Sequence, residues 1–146
     1  MMTGGDKLEA YLRTTSDKLG DGADVAVGFF EGDTYPDGTS VAMVAAIQEW
    51  GAPSRGIPPR PFMRPTVEDH ADEWPDQIAE ALEVSGMDAE KALEIMGGVI
   101  QREIREAIQA VTSPPLKPAT VRRKGFEKPL IDSGRMFQSV KYEVRK

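Results

Sequence analysis

Five prolines, from Pro53 to Pro65, fall within thirteen residues of the segment AAIQEWGAPSRGIPPRPFMRP. Proline fixes its own φ angle, has no backbone N–H to donate, and pushes the preceding residue toward extended geometry. Few backbone conformations are open to such a segment. The spacing therefore predicts that residues 52–65 form a stiff, extended, proline-rich arm rather than a flexible loop.

The side chains on this arm and next to it are of the kinds that dominate protein interfaces. Trp50 and Phe62 are large aromatic groups, and Arg60 and Arg64 suit forked contacts with carboxylates. A segment that has already lost much of its conformational freedom docks at a small entropic cost. The predicted subunit interface consists of Trp50, Arg55, Ile57, Arg60, Phe62, Met63 and Arg64.

The charge of the chain is unevenly distributed. The net charge of −6 combines +6 over Lys117–Lys146, from nine basic and three acidic residues, with −12 over residues 1–116, from nine basic and twenty-one acidic ones. A basic segment on an acidic body binds either nucleic acid or the acidic body of a neighbouring copy. The second option favours head-to-tail association that closes into rings. The predicted partner-facing or DNA-facing residues are Lys117, Arg122, Arg123, Lys124, Lys128 and Arg135.

The apolar periodicity predicts an α+β fold. Helical spacing marks Asp6–Leu19, Val41–Trp50 and a long helix from Asp88 to about Val111, whereas Ala23–Phe30 and Val140–Val144 alternate as strands do. Few strands and several helices indicate a small, mostly antiparallel sheet with helices packed on one face. We expect one domain over residues 1–146, including the arm and a basic C-terminal segment, residues 113–146.

Two details of the helical pattern need an explanation. Pro75 either kinks the helix that follows the arm or lies in the first turn of a new helix. Gly97-Gly98 interrupts the long helix, where each glycine costs about 1 kcal/mol relative to alanine. We attribute this glycine pair to the close packing of another element.

The sequence offers little for catalysis, metal binding or membrane insertion. It has no cysteine, and its single histidine, His70, lies within the charged run Glu68–Glu73, which is typical of a solvated helix N-terminus. No glycine spacing matches a phosphate-binding loop, and no apolar run approaches the roughly 18 residues of a membrane span. We therefore expect no enzyme activity, no cofactor, no metal and no membrane partner.

Asp132-Ser133-Gly134, which follows Leu130-Ile131, is similar to the catalytic loop of an aspartic protease. Such an enzyme needs two carboxylates that share a proton. Most of its β-rich fold also follows this loop, whereas twelve residues remain here. We interpret Asp132 instead as a structural cap, whose carboxylate accepts amide hydrogen bonds at the start of a helical turn.

Two segments together resemble one protein family. The first is Glu49-Trp50-Gly51 followed by IPPRPFMRP at residues 57–65, which is similar to E-aromatic-G and I-P-x-R-P-F-hydrophobic-R. The second is PLKPATVRRKG at residues 115–125 with PLIDSGRM at residues 129–136, which is similar to P-L-x-x-x-T-x-x-x-K-G and P-L-x-D-[ST]-G-x-hydrophobic. Both signatures are typical of the small neck and tail-completion proteins of tailed bacteriophages, although Trp50 stands where phenylalanine or tyrosine is commoner.

The resemblance implies a structural virion protein at the head–tail junction, present in the host cytoplasm during assembly. It implies an α+β fold assembled in a ring, usually a hexamer, that ends the tail tube or joins it to the head. The implied partners are further copies of the chain, portal-side and tail-tube proteins, and the genomic DNA that passes through the lumen. The residues leave two other functions open: a nucleic-acid-binding module that uses the basic C-terminal segment and, more remotely, an aspartic-type protease.

Overall fold

The structure, a computed structural model, describes residues 1, 3–20, 22–123 and 134–146, together with the backbone of Lys124. In this part of the chain β1 and β2 form a two-stranded antiparallel sheet and helices pack against it, so the predicted α+β fold is confirmed. The elements are α1 (Gly4–Leu19), β1 (Asp24–Phe29), α2 (Val41–Trp50), a 3-10 helix (Pro53–Arg55), α3 (Met63–His70), α4 (Trp74–Val84), α5 (Ala89–Ala110), α6 (Pro118–Lys124), α7 (Arg135–Gln138) and β2 (Val140–Arg145).

The sequence next to α2 sets both of its ends. Ser40 Oγ accepts a hydrogen bond from the Met43 N–H at 3.3 Å, which caps the first turn. The helix stops at Gly51, whose φ of +76° suits glycine and whose N–H donates to Ile47 O at 2.7 Å. The predicted bounds of this helix are confirmed.

Helix α4 begins at Trp74 and holds Pro75 in its first turn. Proline suits this position because the first N–H groups of a helix have no partner within it. A new helix therefore starts here, and the alternative of a kinked continuous helix is wrong.

The chain divides into two compact units. Helix α5 and both strands supply residues to each unit. Unit 1 consists of residues 1–26, 72–99 and 142–146, and unit 2 consists of residues 27–71 and 100–141.

Helix α5 packs closely inside unit 1. Its residues Ala92 and Met96 are buried there. A methyl group added at Gly97 would lie within 2.6 Å of Tyr142 Cγ. The predicted close packing is therefore confirmed for Gly97. It is wrong for Gly98, because a methyl group there would have no heavy atom within 4 Å.

One apolar cluster forms the core of unit 2. The Phe62 side chain is 2% exposed, and the Phe29 ring lies edge-on to its ring at a centroid distance of 5.9 Å. Val27 and Phe29 of β1 pack against the cluster, as their alternation predicts. The buried members are Val41, Ala45, Phe62, Ile104, Ile108, Met136 and Val140.

The proline-rich segment folds back on its own unit. Residues Pro53–Arg55 form a 3-10 helix that is closed by an antiparallel bridge between Ala52 and Ile57, and α3 already begins at Met63. The Arg60 N–H donates to Gln48 O at 2.6 Å. The prediction of a uniformly extended arm is therefore wrong over residues 53–57 and 63–65.

Candidate functional site

The carboxylate of Glu49 ties the last turn of α2 to the first turn of α3. Its Oε2 accepts hydrogen bonds from the N–H groups of Phe62 at 2.8 Å and Met63 at 2.9 Å. Its Oε1 accepts from the Arg64 N–H at 3.1 Å and from Arg64 Nε at 3.0 Å. Because the first N–H groups of a helix lack intrahelical partners and favour a negative charge, Glu49 acts as a cap supplied from distant sequence.

Two opposing effects act on the Glu49 pKa. Burial raises the pKa, because it disfavours the charged form of a residue that is 5% exposed. Hydrogen bonds from the N–H groups of Met63, Phe62 and Arg64 and from the Arg64 guanidinium outweigh burial and lower the pKa below its ordinary value of 4.5. The carboxylate is therefore ionised near neutral pH.

The Arg60 side chain joins the two segments that carry the family resemblance. Its Nε donates to Pro114 O at 2.9 Å and its Nη2 donates to Pro115 O at 3.2 Å. Arg60 is 7% exposed, and no carboxylate of the described residues pairs with it. These two carbonyl partners accept from its N–H groups, but they do not neutralise its positive charge.

A groove with a volume of about 440 Å³ lies where these segments meet in unit 2. Apolar walls come from Ile57 and Pro58 on one segment and from Leu116 on the other, with Met136 adding to them. Signature residues from both segments, among them Ile57, Pro58 and Leu116, thus line one groove together with other residues of unit 2.

The groove is strongly basic. Arg55, Arg60, Lys117 and Arg123 line it, and no aspartate or glutamate occurs among its described lining residues. The side chains of Arg55, Lys117 and Arg123 form no ion pair or hydrogen bond with other described residues. Among the described residues, no internal ion pair of these three side chains would have to break before the groove received carboxylates or phosphates.

The structure separates the predicted interface residues into an exposed set and a buried set. Trp50 is 63% exposed, and the Arg55 and Arg64 side chains also reach solvent. Ile57 and Met63 are half-buried. Phe62 is a core residue, and Arg60 is 7% exposed and donates to carbonyl groups of its own unit while it also lines the groove.

The predicted basic cluster also divides. Lys117 and Arg123 line the groove, whereas Arg122 and Arg135 are exposed outside it. Three of the predictions fall where the structure gives no side chain: Lys128, the Asp132 cap with its protease-like loop, and the Lys124 side chain lie outside the described residues.

The apolar face of α1 is exposed, which the sequence did not predict. Leu8, Tyr11 and Leu12 of α1 are 58%, 63% and 56% exposed, and α1 has no buried residue. Their helical spacing is the same signal that marks a core-facing helix, so the sequence could not tell a covered face from an open one.

The acidic residues of the chain concentrate in unit 1. Unit 1 has six basic and fourteen acidic residues, a net charge of −8, whereas unit 2 has twelve basic and ten acidic residues, a net charge of +2. On α4 the carboxylates of Asp76, Glu80 and Glu83 are exposed at helical spacing, and the helix contains no basic residue. None of these three forms an ion pair with a described residue.

In the part of the chain that the structure describes, no group of three or more His, Asp or Glu side chains is placed to hold a metal ion. His70 instead has its Nδ1 3.6 Å from Glu103 Oε1. Among the same residues, no helix is both long and apolar enough to cross a membrane. No protein-family model, curated protein or solved structure matches the chain.

Proposed function

We propose that this chain is a structural protein of a tailed-bacteriophage particle. It acts at the head–tail junction, where copies of it form a ring, with six subunits as the expected number, that ends the tail tube or joins it to the head. In this role it has no catalytic activity and no cofactor, and its partners are further copies, portal-side or tail-tube proteins and, transiently, the passing DNA.

One observation carries the proposal. The two segments that resemble phage neck proteins lie far apart in sequence, yet Arg60 of the first donates one hydrogen bond to Pro115 O, at the start of the second, and one to Pro114 O, immediately before it. Together they line one basic groove. Sequence signatures that meet in one surface support a shared role for that surface. A groove whose cations have no counter-ion among the described residues suits contact with another macromolecule.

Exposed apolar side chains give independent support for assembly. Leu8, Tyr11 and Leu12 on α1 and Trp50 at the end of α2 are each more than half exposed. Large apolar groups that share one helix face are a feature of interaction sites on soluble proteins. Such a surface suits a subunit whose neighbours cover it.

The proposal is tested in a phage that encodes this chain, by placing a stop codon early in its gene. We expect DNA-filled heads and separate tails, or tails of irregular length, in negative-stain images, and we expect plasmid-borne wild-type protein to restore whole particles. Complete infectious particles that lack the chain would overturn the proposal.

The four cations of the groove also favour a second candidate function, that of a nucleic-acid-binding module. The isolated chain would then bind DNA with a logarithmic salt slope of roughly −3, since three exposed cations neutralise phosphates. The net charge of −6 opposes this function. Fluorescence anisotropy with a short DNA duplex at several salt concentrations distinguishes the two, because the ring protein is expected to bind only weakly.

A further inference from the structure

We infer that the basic groove of one copy receives the acidic face of α4 from a second copy. This inference rests on the proposed ring assembly and names the surfaces through which neighbouring subunits meet. The acidic face consists of Asp76, Glu80 and Glu83.

The groove calls for an anionic partner that is partly apolar. Arg60 is nine-tenths buried, and neither it nor the other three cations, Arg55, Lys117 and Arg123, has a counter-ion among the described residues. Its remaining walls include apolar residues such as Ile57 and Leu116. A phosphate backbone would leave these walls uncovered, whereas a helix with both carboxylates and apolar groups covers them.

Helix α4 offers this combination. Asp76 to Glu83 spans about 10 Å along the helix axis at 1.5 Å per residue, and the three carboxylates follow one face. Val84, 76% exposed, adds an apolar group at the end of the same helix. Two carboxylates that follow α4 in the sequence are already paired: Glu90 Oε2 lies 2.9 Å from Lys146 Nζ, and Asp88 Oδ2 lies 3.7 Å from Lys91 Nζ.

The two surfaces differ from each other, so their contact is heterologous. The groove belongs to unit 2, with a net charge of +2, and α4 belongs to unit 1, with a net charge of −8. Each copy then presents one groove and one acidic face, and successive copies add head to tail until the rotation closes a ring. Complementary charge fixes this order, because groove on groove or α4 on α4 would oppose like charges.

Charge reversal tests the contact. The groove variant carries Lys117→Glu and Arg123→Glu, and the face variant carries Glu80→Arg and Glu83→Arg. Sedimentation velocity at protein concentrations up to about 1 mM measures the association of each. We expect each variant alone to associate at least about tenfold more weakly than wild type. A one-to-one mixture should regain association, because the acidic groove of one variant fits the basic face of the other.

Arg122→Glu is the matched control, because Arg122 is exposed next to Arg123 on α6 but lies outside the groove. It should associate as wild type does. Circular dichroism establishes that every variant is folded. Association of either variant at wild-type strength, or a mixture that stays monomeric, would overturn the inference.

The absence of cysteine from the chain provides a second measurement for weak association. A mixture of Lys117→Cys and Glu83→Cys proteins should form a disulfide-linked dimer under mild oxidation, and a Lys7→Cys and Glu83→Cys mixture should form far less. Equal yields, or no dimer in either mixture, would overturn the contact.

The remaining outcomes separate this inference from the proposed function. If the groove variant loses binding to a DNA duplex and keeps self-association, the groove is a phosphate site and the inference fails. If the charge reversals leave the strength of self-association unchanged while particles without the chain still lack joined tails, the inference alone fails. If the reversals act as expected but whole particles form without the chain, the proposed phage function fails and the contact stands.

Discussion

The guanidinium carbon of Arg64 lies 4.1 Å from the centroid of the Trp50 ring. The same guanidinium donates from Nε to Glu49 Oε1 and from Nη2 to Glu49 O, each at 3.0 Å. Trp50 is therefore an exposed aromatic group whose orientation is fixed by a neighbouring cation that is itself held by a buried carboxylate. A side chain that is already oriented loses little freedom when a partner covers it.

Replacing Trp50 and Phe62 one at a time should show how much more a core aromatic residue contributes to stability than an exposed one. Trp50→Ala should lower the free energy of unfolding by about 1 kcal/mol or less, because it removes one cation–π contact from an exposed ring. Phe62→Ala should lower it by about 3–5 kcal/mol, because it leaves a cavity in the core of unit 2. Urea denaturation measures both, and equal losses would contradict the burial of Phe62.

Glu49→Gln should destabilise the protein by about 2–4 kcal/mol in urea denaturation at pH 7, because the amide group removes the charge that three N–H groups and Arg64 bind. The matched control is Glu106→Gln, since the Glu106 carboxylate is 67% exposed and lies 3.8 Å from Arg102. That change should alter stability by less than about 0.5 kcal/mol. A Glu49→Gln effect as small as the control would show that the cap contributes nothing.

The contribution of Glu49 should depend on pH. Its folded-state pKa lies below the ordinary value of 4.5, so the stabilisation is present above pH 4.5 and is lost as the pH falls through the lowered folded-state pKa. The difference in unfolding free energy between wild type and Glu49→Gln should be constant from about pH 6 to 8 and should shrink below about pH 4.5.

Other carboxylates do not obscure this comparison. Backbone hydrogen bonds also lower the pKa values of the exposed residues Asp6 and Asp37 and of the half-buried residue Asp88. They are present in both proteins, so their contributions cancel in the difference. A difference that stays constant down to pH 3 would contradict the assigned role of the Glu49 charge.

Two adjacent glycines should respond to alanine with opposite signs. Gly97→Ala should destabilise by about 1–3 kcal/mol, because the new methyl group overlaps the Tyr142 ring at Cδ2 and Cγ. Gly98→Ala should stabilise by about 0.5–1 kcal/mol, because it favours the helix and meets open space. Thermal unfolding measures both, and adding Tyr142→Ala should relieve the Gly97→Ala effect. Two changes of the same sign would refute the packing of Gly97 on Tyr142.

Local sequence rules located the regular elements well. The predicted strand Ala23–Phe30 corresponds to Asp24–Phe29, and the long helix from Asp88 to about Val111 corresponds to Ala89–Ala110. These elements follow from apolar periodicity and from capping residues, both of which are readable within a short window of sequence.

The proline-rich segment was predicted less well, because its conformation depends on distant residues. Proline rules describe each residue and its predecessor, but α3 starts at Met63 because Glu49, thirteen or more residues earlier, binds the N–H groups there. The sequence feature that could have indicated this contact is Glu49 itself, a carboxylate in the last turn of an otherwise apolar helix. Likewise, Arg60 binds within its own unit because it donates to the carbonyl groups of Pro114 and Pro115, and no local sequence pattern reveals this contact.

The close approach at Gly51 fixes the length of the turn that follows it. A Cβ atom at Gly51 would lie 2.9 Å from both Ile57 O and Pro59 N. The backbone at residues 57–59 therefore comes back against Gly51, and the number of residues between them is fixed. One residue inserted or deleted between Gly51 and Phe62 would displace the amide groups that Glu49 binds. Viable natural variants of this turn should therefore conserve the residue count even where their side chains differ.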